Sequence, residues 1–130
     1  MSELRADTIT ASDGTSPVTL TKQSAAKAWA NITGTGTAII NDSVNHSSLT
    51  DNTTGDYTLS LTSSMDNTSY SFAYTGKRSS SSDLIFVSQQ YATPLAVGSY
   101  RPRSFHFTNT ASPVGEDADK IGTTIHGDLA

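Results

Sequence analysis

Apolar and polar residues alternate one for one in several short stretches of this chain. Tyr57, Leu59 and Leu61 are separated by Thr58 and Ser60, and Tyr70, Phe72 and Tyr74 by Ser71 and Ala73. Phe105 and Phe107 flank His106, and Ile121, Thr123 and Ile125 share one side of "IGTTI". A period of two predicts strands with one buried face. "LIFVS" (84–88) is instead a continuous apolar run, which predicts a strand covered on both faces. "SAAKAWANIT" (24–33) reads two ways, its alanines favouring a short helix and its continuation through Ile32 a strand. Turn chemistry separates these segments: "GTGT" (34–37), "DNTTGD" (51–56), "MDNTS" (65–69), "TGKRSSSSD" (75–83) and "NTASPVGEDADK" (109–120). Pro94, Gly98 and Pro102 make 92–103 irregular. Roughly six to eight short strands with little helix predict an all-β fold, a small antiparallel β-sandwich or barrel-like domain.

Residues 1–24 stand apart from this pattern. "DTITASDGTSPVTLTKQS" mixes β-prone pieces with turn signals at Asp13-Gly14 and Ser16-Pro17, and holds too few large apolar side chains for a core of its own. The expectation is an extended anchoring arm over 1–24 that lies on a partner through Leu4, Ile9, Val18 and Leu20, followed by a β domain over 25–130.

Composition changes the picture in one respect. Leu, Ile, Val and Phe supply 24 of 130 residues, below the ~20% that marks a chain poor in core formers. The net charge is only −4, however, so the chain lacks the self-repulsion of a disordered one. A weakly apolar, weakly charged chain with clear strand periodicity is expected to borrow burial from its own copies, as an obligate oligomer. Ser and Thr number 40, which favours pleated surfaces and turns over helix. Cysteine is absent, which removes disulfides and thiolate metal sites. Eight Lys and Arg against twelve acids give no basic field for nucleic acid. No apolar run reaches the ~18 residues of a membrane span, and "MSELRADTIT" does not read as a secretory signal. Synthesis in the cytoplasm, no membrane insertion and no nucleic-acid partner are expected.

The candidate chemistry is thin. "DNTTGD" fails as a calcium loop: counted from Asp51, the glycine falls at Gly55 and the twelfth residue is Thr62 rather than Glu. Asp51 and Asp56 as a glycosidase pair would need a spatial separation that spacing does not give, whereas Asp and Asn around a Gly are ordinary turn residues. The hairpin corner is the reading adopted. His46, His106 and His126 would hold a metal only by converging from distant positions, so no metal and no cofactor is expected. No G-x-S-x-G elbow is present for a serine nucleophile. Five of the six asparagines head N-x-S/T triplets, which turn composition explains. "EDADK" (116–120) is expected as a solvated acidic loop, with a cation site or a partner for basic residues such as Arg101 and Arg103 of a neighbour as the alternatives. Loops on a rigid β scaffold carry recognition, which makes Lys77, Arg78, Tyr91, Tyr100, Arg101 and Arg103 the candidate recognition residues. A carbohydrate-binding module is the alternative, with Tyr91 and Tyr100 stacking on sugar; hydrolysis is not expected, because the only glutamates are Glu3 and Glu116.

The segment from Ala26 to Gly76, "AKAWANITGTGTAIINDSVNHSSLTDNTTGDYTLSLTSSMDNTSYSFAYTG", resembles a recurrent C-terminal module of phage tail fibres and related virion proteins. There a Trp-bearing strand and an N-x-x-G-T-G-T turn precede a T-D-N-G-T-G-D-Y-T step and an M-P-D-x-x-Y step. Trp29, Asn31, Gly34, Gly36, Asp51, Asn52, Gly55, Asp56, Tyr57, Met65, Asp66 and Tyr70 match in order. "SELRADTI" is similar to the opening of many marine phage structural proteins. Thr53 stands where the family has Gly, the Pro after Met is absent, and 77–120 has no counterpart. The resemblance implies a homotrimeric, non-enzymatic β domain on a virion, made in the bacterial cytoplasm. Its partners would be other capsid or tail proteins and a host-surface glycan. The address implied is either a small fibre tip or a capsid cement (decoration) protein at capsomer junctions.

Overall fold

A computed structural model of the chain describes residues 25–78, 84–107 and 112–130. The proposed arm, with Leu4, Ile9, Val18 and Leu20, lies outside the described residues. The strands are β1 (Ala28–Thr33), β2 (Ile39–Val44), β3 (His46–Thr53), β4 (Asp56–Leu61), β5 (Ser71–Lys77), β6 (Phe86–Gln89), β7 (Ser99–Tyr100), β8 (Pro102–Phe107), β9 (Pro113–Gly115) and β10 (Lys120–His126). They form two antiparallel sheets packed together. The first has the order β2-β1-β10-β5; the second runs β3-β4-β8-β6, with β7 added to β4 and β9 to β8. No helix occurs among the described residues.

The alternation seen in the sequence is what divides the faces. Ala28, Ala30 and Ile32 of β1 and Ile121 and Ile125 of β10 point inward, against Tyr57, Leu59 and Leu61 of β4. Each large aliphatic side chain buried here contributes ~1.5–3 kcal/mol. The two alanines leave room that aromatic rings fill. Tyr70, Phe72, Tyr74 and Tyr100 form a chain of ring contacts with centroids 4.9–6.5 Å apart. "AWANIT" is therefore strand, because both its neighbours, β2 and β10, need it as a central member of the sheet.

Residues 39–53 run along the edge of both sheets, bent at Asn45, whose φ is +61°. Asn is one of the few non-glycine residues that accept this conformation. Its side chain also fixes the bend, accepting from the Ser63 N–H at 2.7 Å and donating to the Ser63 carbonyl at 3.0 Å. The opening of β4 is the expected hairpin corner: β3 and β4 pair through Thr53 and Asp56, with Thr54-Gly55 between them. Gly55 sits at φ +69°, and a Cβ there would overlap the backbone of Ser104 and Glu116. Gly34 of the "GTGT" turn is needed for a different reason, since its Cα lies against the Tyr57 phenol.

Two expectations are corrected. "LIFVS" is not covered on both faces: Ile85 and Val87 pack toward the core between the sheets, whereas Leu84 (74% exposed) and Phe86 (43%) lie on the side of the second sheet that no layer of the described residues covers. "EDADK" is not a solvated loop. Ala118 is fully buried and its carbonyl accepts from the Gly34 N–H at 2.9 Å, which pins the segment across the end of the domain.

Candidate functional site

The outward face of the first sheet is built by register. Val44, Trp29, Thr124 and Ala73 lie side by side across β2, β1, β10 and β5, and Asp42, Asn31, Gly122 and Thr75 form the next row. Alternation places both rows on the side away from the core, because the intervening Ala30, Thr123 and Tyr74 face inward. The result is a shallow depression of about 290 Å³ with the Trp29 indole as one wall and Asn31, Thr75 and Thr124 around it. Gly122 keeps the floor low: a Cβ there would meet the Thr75 hydroxyl. A bulge after Asn31 brings Asn41 alongside, and its Nδ2 donates to Asn31 Oδ1 at 3.2 Å and to Thr33 Oγ1 at 2.9 Å. Asn31 is thereby held with its amide along the rim.

Beneath this face a short relay ties the two sheets. His46 Nδ1 donates to the Val44 carbonyl at 2.9 Å, so the neutral ring offers Nε2 as an acceptor to the Tyr100 hydroxyl at 2.7 Å. The Tyr100 oxygen then accepts from Thr123 Oγ1 at 2.6 Å. Burial lowers the His46 pKa, partly offset by the Val44 carbonyl, and so favours this neutral form.

Asp56 anchors the far end of the second sheet. It is 4% exposed and receives a bidentate fork from Arg101, Nε to Oδ1 at 2.6 Å and Nη2 to Oδ2 at 2.9 Å. Gln90 Nε2 and Asn52 Nδ2 add contacts at 3.1 and 3.3 Å. Burial opposes ionisation, but the Arg101, Gln90 and Asn52 hydrogen bonds outweigh it and hold the carboxyl below its ordinary pKa. Close by, Asp117 Oδ1 accepts from the Gly55 N–H at 2.7 Å and from the Tyr57 hydroxyl at 2.8 Å. Burial, with the Asp117 carboxylate beside it, holds that phenol protonated well above its usual range. Glu116 takes Arg78 Nε at 2.5 Å and stands 2.6 Å from His106 Nδ1.

These contacts place the sequence candidates. Tyr100, expected as a recognition residue in an irregular loop, is buried in β7 and works in the inter-sheet relay. Arg101 meets Asp56 of its own chain rather than a neighbour's acids, and Arg78 meets Glu116. Lys77 is exposed at the end of β5 and pairs with Asp119 at 3.2 Å. Arg103 is half-buried on β8, opposite Ser88 and Asp56. Tyr91 alone of the two proposed tyrosines faces solvent, 92% exposed. Asp51 is exposed at the corner, whereas Asp56 is sealed by Arg101, so the two acids do not form a working pair. The three histidines sit on β3, β8 and β10, and among the described residues no cluster of three or more His, Asp or Glu could hold a metal.

No protein-family model, curated protein or solved structure matches the chain. A second surface feature must therefore be read from its own chemistry. Phe86, Phe105 and Phe107 cluster on the outward side of β6 and β8, with ring centroids 5.5–5.9 Å apart: Phe86 and Phe105 are stacked, and Phe107 meets both edge to face. Phe86 and Phe107 keep 43% and 47% of their surface in solvent. Neither this patch nor the Trp29 depression was recognised from the sequence: each depends on cross-strand neighbours far apart along the chain.

Proposed function

We propose that the chain is a non-enzymatic virion structural protein, a host-contacting β domain of tail-fibre type that works as a homotrimer and is held to the particle by residues 1–24. The exposed phenylalanine patch carries this reading. Three Phe rings have no polar handle, so their natural cover is another apolar surface, and monomeric proteins rarely leave such a cluster open. The occupant that fits is a second copy of the chain, since a core this short of large aliphatic residues gains most from burying its own surplus aromatics in an assembly. The resemblance over 26–76 supplies the virion setting. It is supported by what its shared residues do: Gly34, Gly55, Asp56 and Tyr57 sit in one interlocked cluster, in which Gly34 touches Tyr57 and Asp117 bridges Gly55 and Tyr57. They are fold-determining positions, as a structural module requires.

Deletion of residues 2–20 tests the arm. The expected product is a folded trimer by sedimentation that no longer joins particles assembled around it. Undiminished incorporation would remove the arm from the account.

A further inference from the structure

We infer that the depression beside Trp29 binds one neutral sugar ring, presented as a hexose unit of a host-surface glycan. The inference rests on the host-contacting reading for its setting, and on the geometry of the first sheet for its chemistry.

Three features define the occupant. First, the space is a shallow, open depression of about 290 Å³, just under the ~300 Å³ at which enclosed ligand pockets begin, and so has room for a single ring laid against its wall. Second, its wall and rim are matched to a pyranose. The Trp29 indole offers a flat apolar surface for the ring's C–H face, while Asn31, Thr75 and Thr124 offer amide and hydroxyl groups in an arc around it. An indole beside short polar groups takes a ligand that is apolar on its flat faces and polar around its edge. Third, charge selects against ions. None of the residues lining the depression is ionisable, and the nearest acid in the register, Asp42 opposite Asn31, offers only an acceptor for hydroxyls. A phosphate or sulfate would find no cation among the lining residues; Lys77 and Lys120 stand one row further along the same face.

The position is also fitted to reach a surface. The depression is on an outward sheet face, separate from the Phe86, Phe105 and Phe107 patch, which lies on the other sheet. Assembly through one face and contact through the other do not compete.

The test uses the full-length protein and methyl glycosides of glucose, galactose and mannose. Trp29 is the sole tryptophan, so indole-selective fluorescence reports this wall alone. At least one glycoside is expected to shift the emission with a roughly millimolar midpoint, the affinity one small ring supports. Saturation-transfer NMR should place the contact on the sugar's ring C–H protons. Trp29→Ala should weaken the NMR-detected binding about three- to tenfold, the equivalent of one lost aromatic contact. Thr124→Gln, which fills the depression without touching the core, should abolish it even if Trp29→Ala folds poorly. No response to any of the three sugars would overturn the inference, as would binding that survives Thr124→Gln. Equally, if Thr124→Gln disrupts the oligomer by sedimentation while sugars have no effect, the depression is a subunit contact instead. These measurements need no virion, so their failure is distinguishable from failure to find the chain on a particle.

Discussion

Replacing Arg101 by Met should cost this domain a large part of its stability. The fork from Arg101 supplies both short hydrogen bonds to Asp56, whose side chain is 5% exposed against 29% for Arg101. Breaking a fully buried pair costs ~3–5 kcal/mol, because a charge is left without its partner. Two observations lower that figure here. Gln90 and Asn52 still donate to the carboxylate, and water can enter where the partly exposed guanidinium stood. An expected loss of about 2–3 kcal/mol remains, out of a total of ~5–15 kcal/mol for a domain of this kind. Urea unfolding at fixed protein concentration would measure it as a lower midpoint at unchanged slope. The pH dependence supplies an internal check. Asp56 has a folded pKa depressed below its ordinary 3.8, so its contribution is present above the unfolded pKa and is lost as pH falls through the folded one. The gap between wild type and Arg101→Met should therefore narrow once the pH drops below about 4. A loss under ~0.5 kcal/mol, the size of an exposed pair, would refute the reasoning, as would a gap independent of pH.

Other outcomes follow from the same structure. Gly55→Ala should cost about 3 kcal/mol or more by thermal unfolding, since the new Cβ meets backbone on two sides at a left-handed φ. His46 has a folded pKa below 6.5, so stability should decline as pH falls below 6.5, and less so in His46→Asn, read from melting temperatures across that range. The paired change Phe105→Ser and Phe107→Ser should shift sedimentation from trimer toward monomer with the far-ultraviolet dichroism of the β domain retained; an unchanged trimer would place the subunit contact elsewhere.

What was legible in the sequence was whatever one strand declares by itself. Tyr57, Leu59 and Leu61 alternate with Thr58 and Ser60 because β4 buries a single face, and the same holds for β10. The corner at Thr54-Gly55 was readable because turn chemistry is local. The site was not. Trp29, Thr124 and Ala73 become neighbours only through the register of β1, β10 and β5, which spacing along the chain does not encode. Tyr100 and Arg101 looked like loop residues because Gly98 and Pro102 flank them; their partners, Thr123 and Asp56, are 23 and 45 positions away. The run at 84–88 misled for a related reason: an apolar run fits a strand covered on both faces or one whose outer face is left open, and Phe86 lies on an open face together with Phe107 of the neighbouring strand.

Cryo-electron microscopy of the intact particle addresses the virion assignment itself. Trimers of the two-sheet domain are expected at the particle surface, with Phe86, Phe105 and Phe107 at the subunit contacts and the Trp29 face turned outward. Trimers confined to capsomer junctions, with the Trp29 face covered, would make the chain a cement protein and contradict host contact. A purified particle without density for this fold would contradict the virion role altogether.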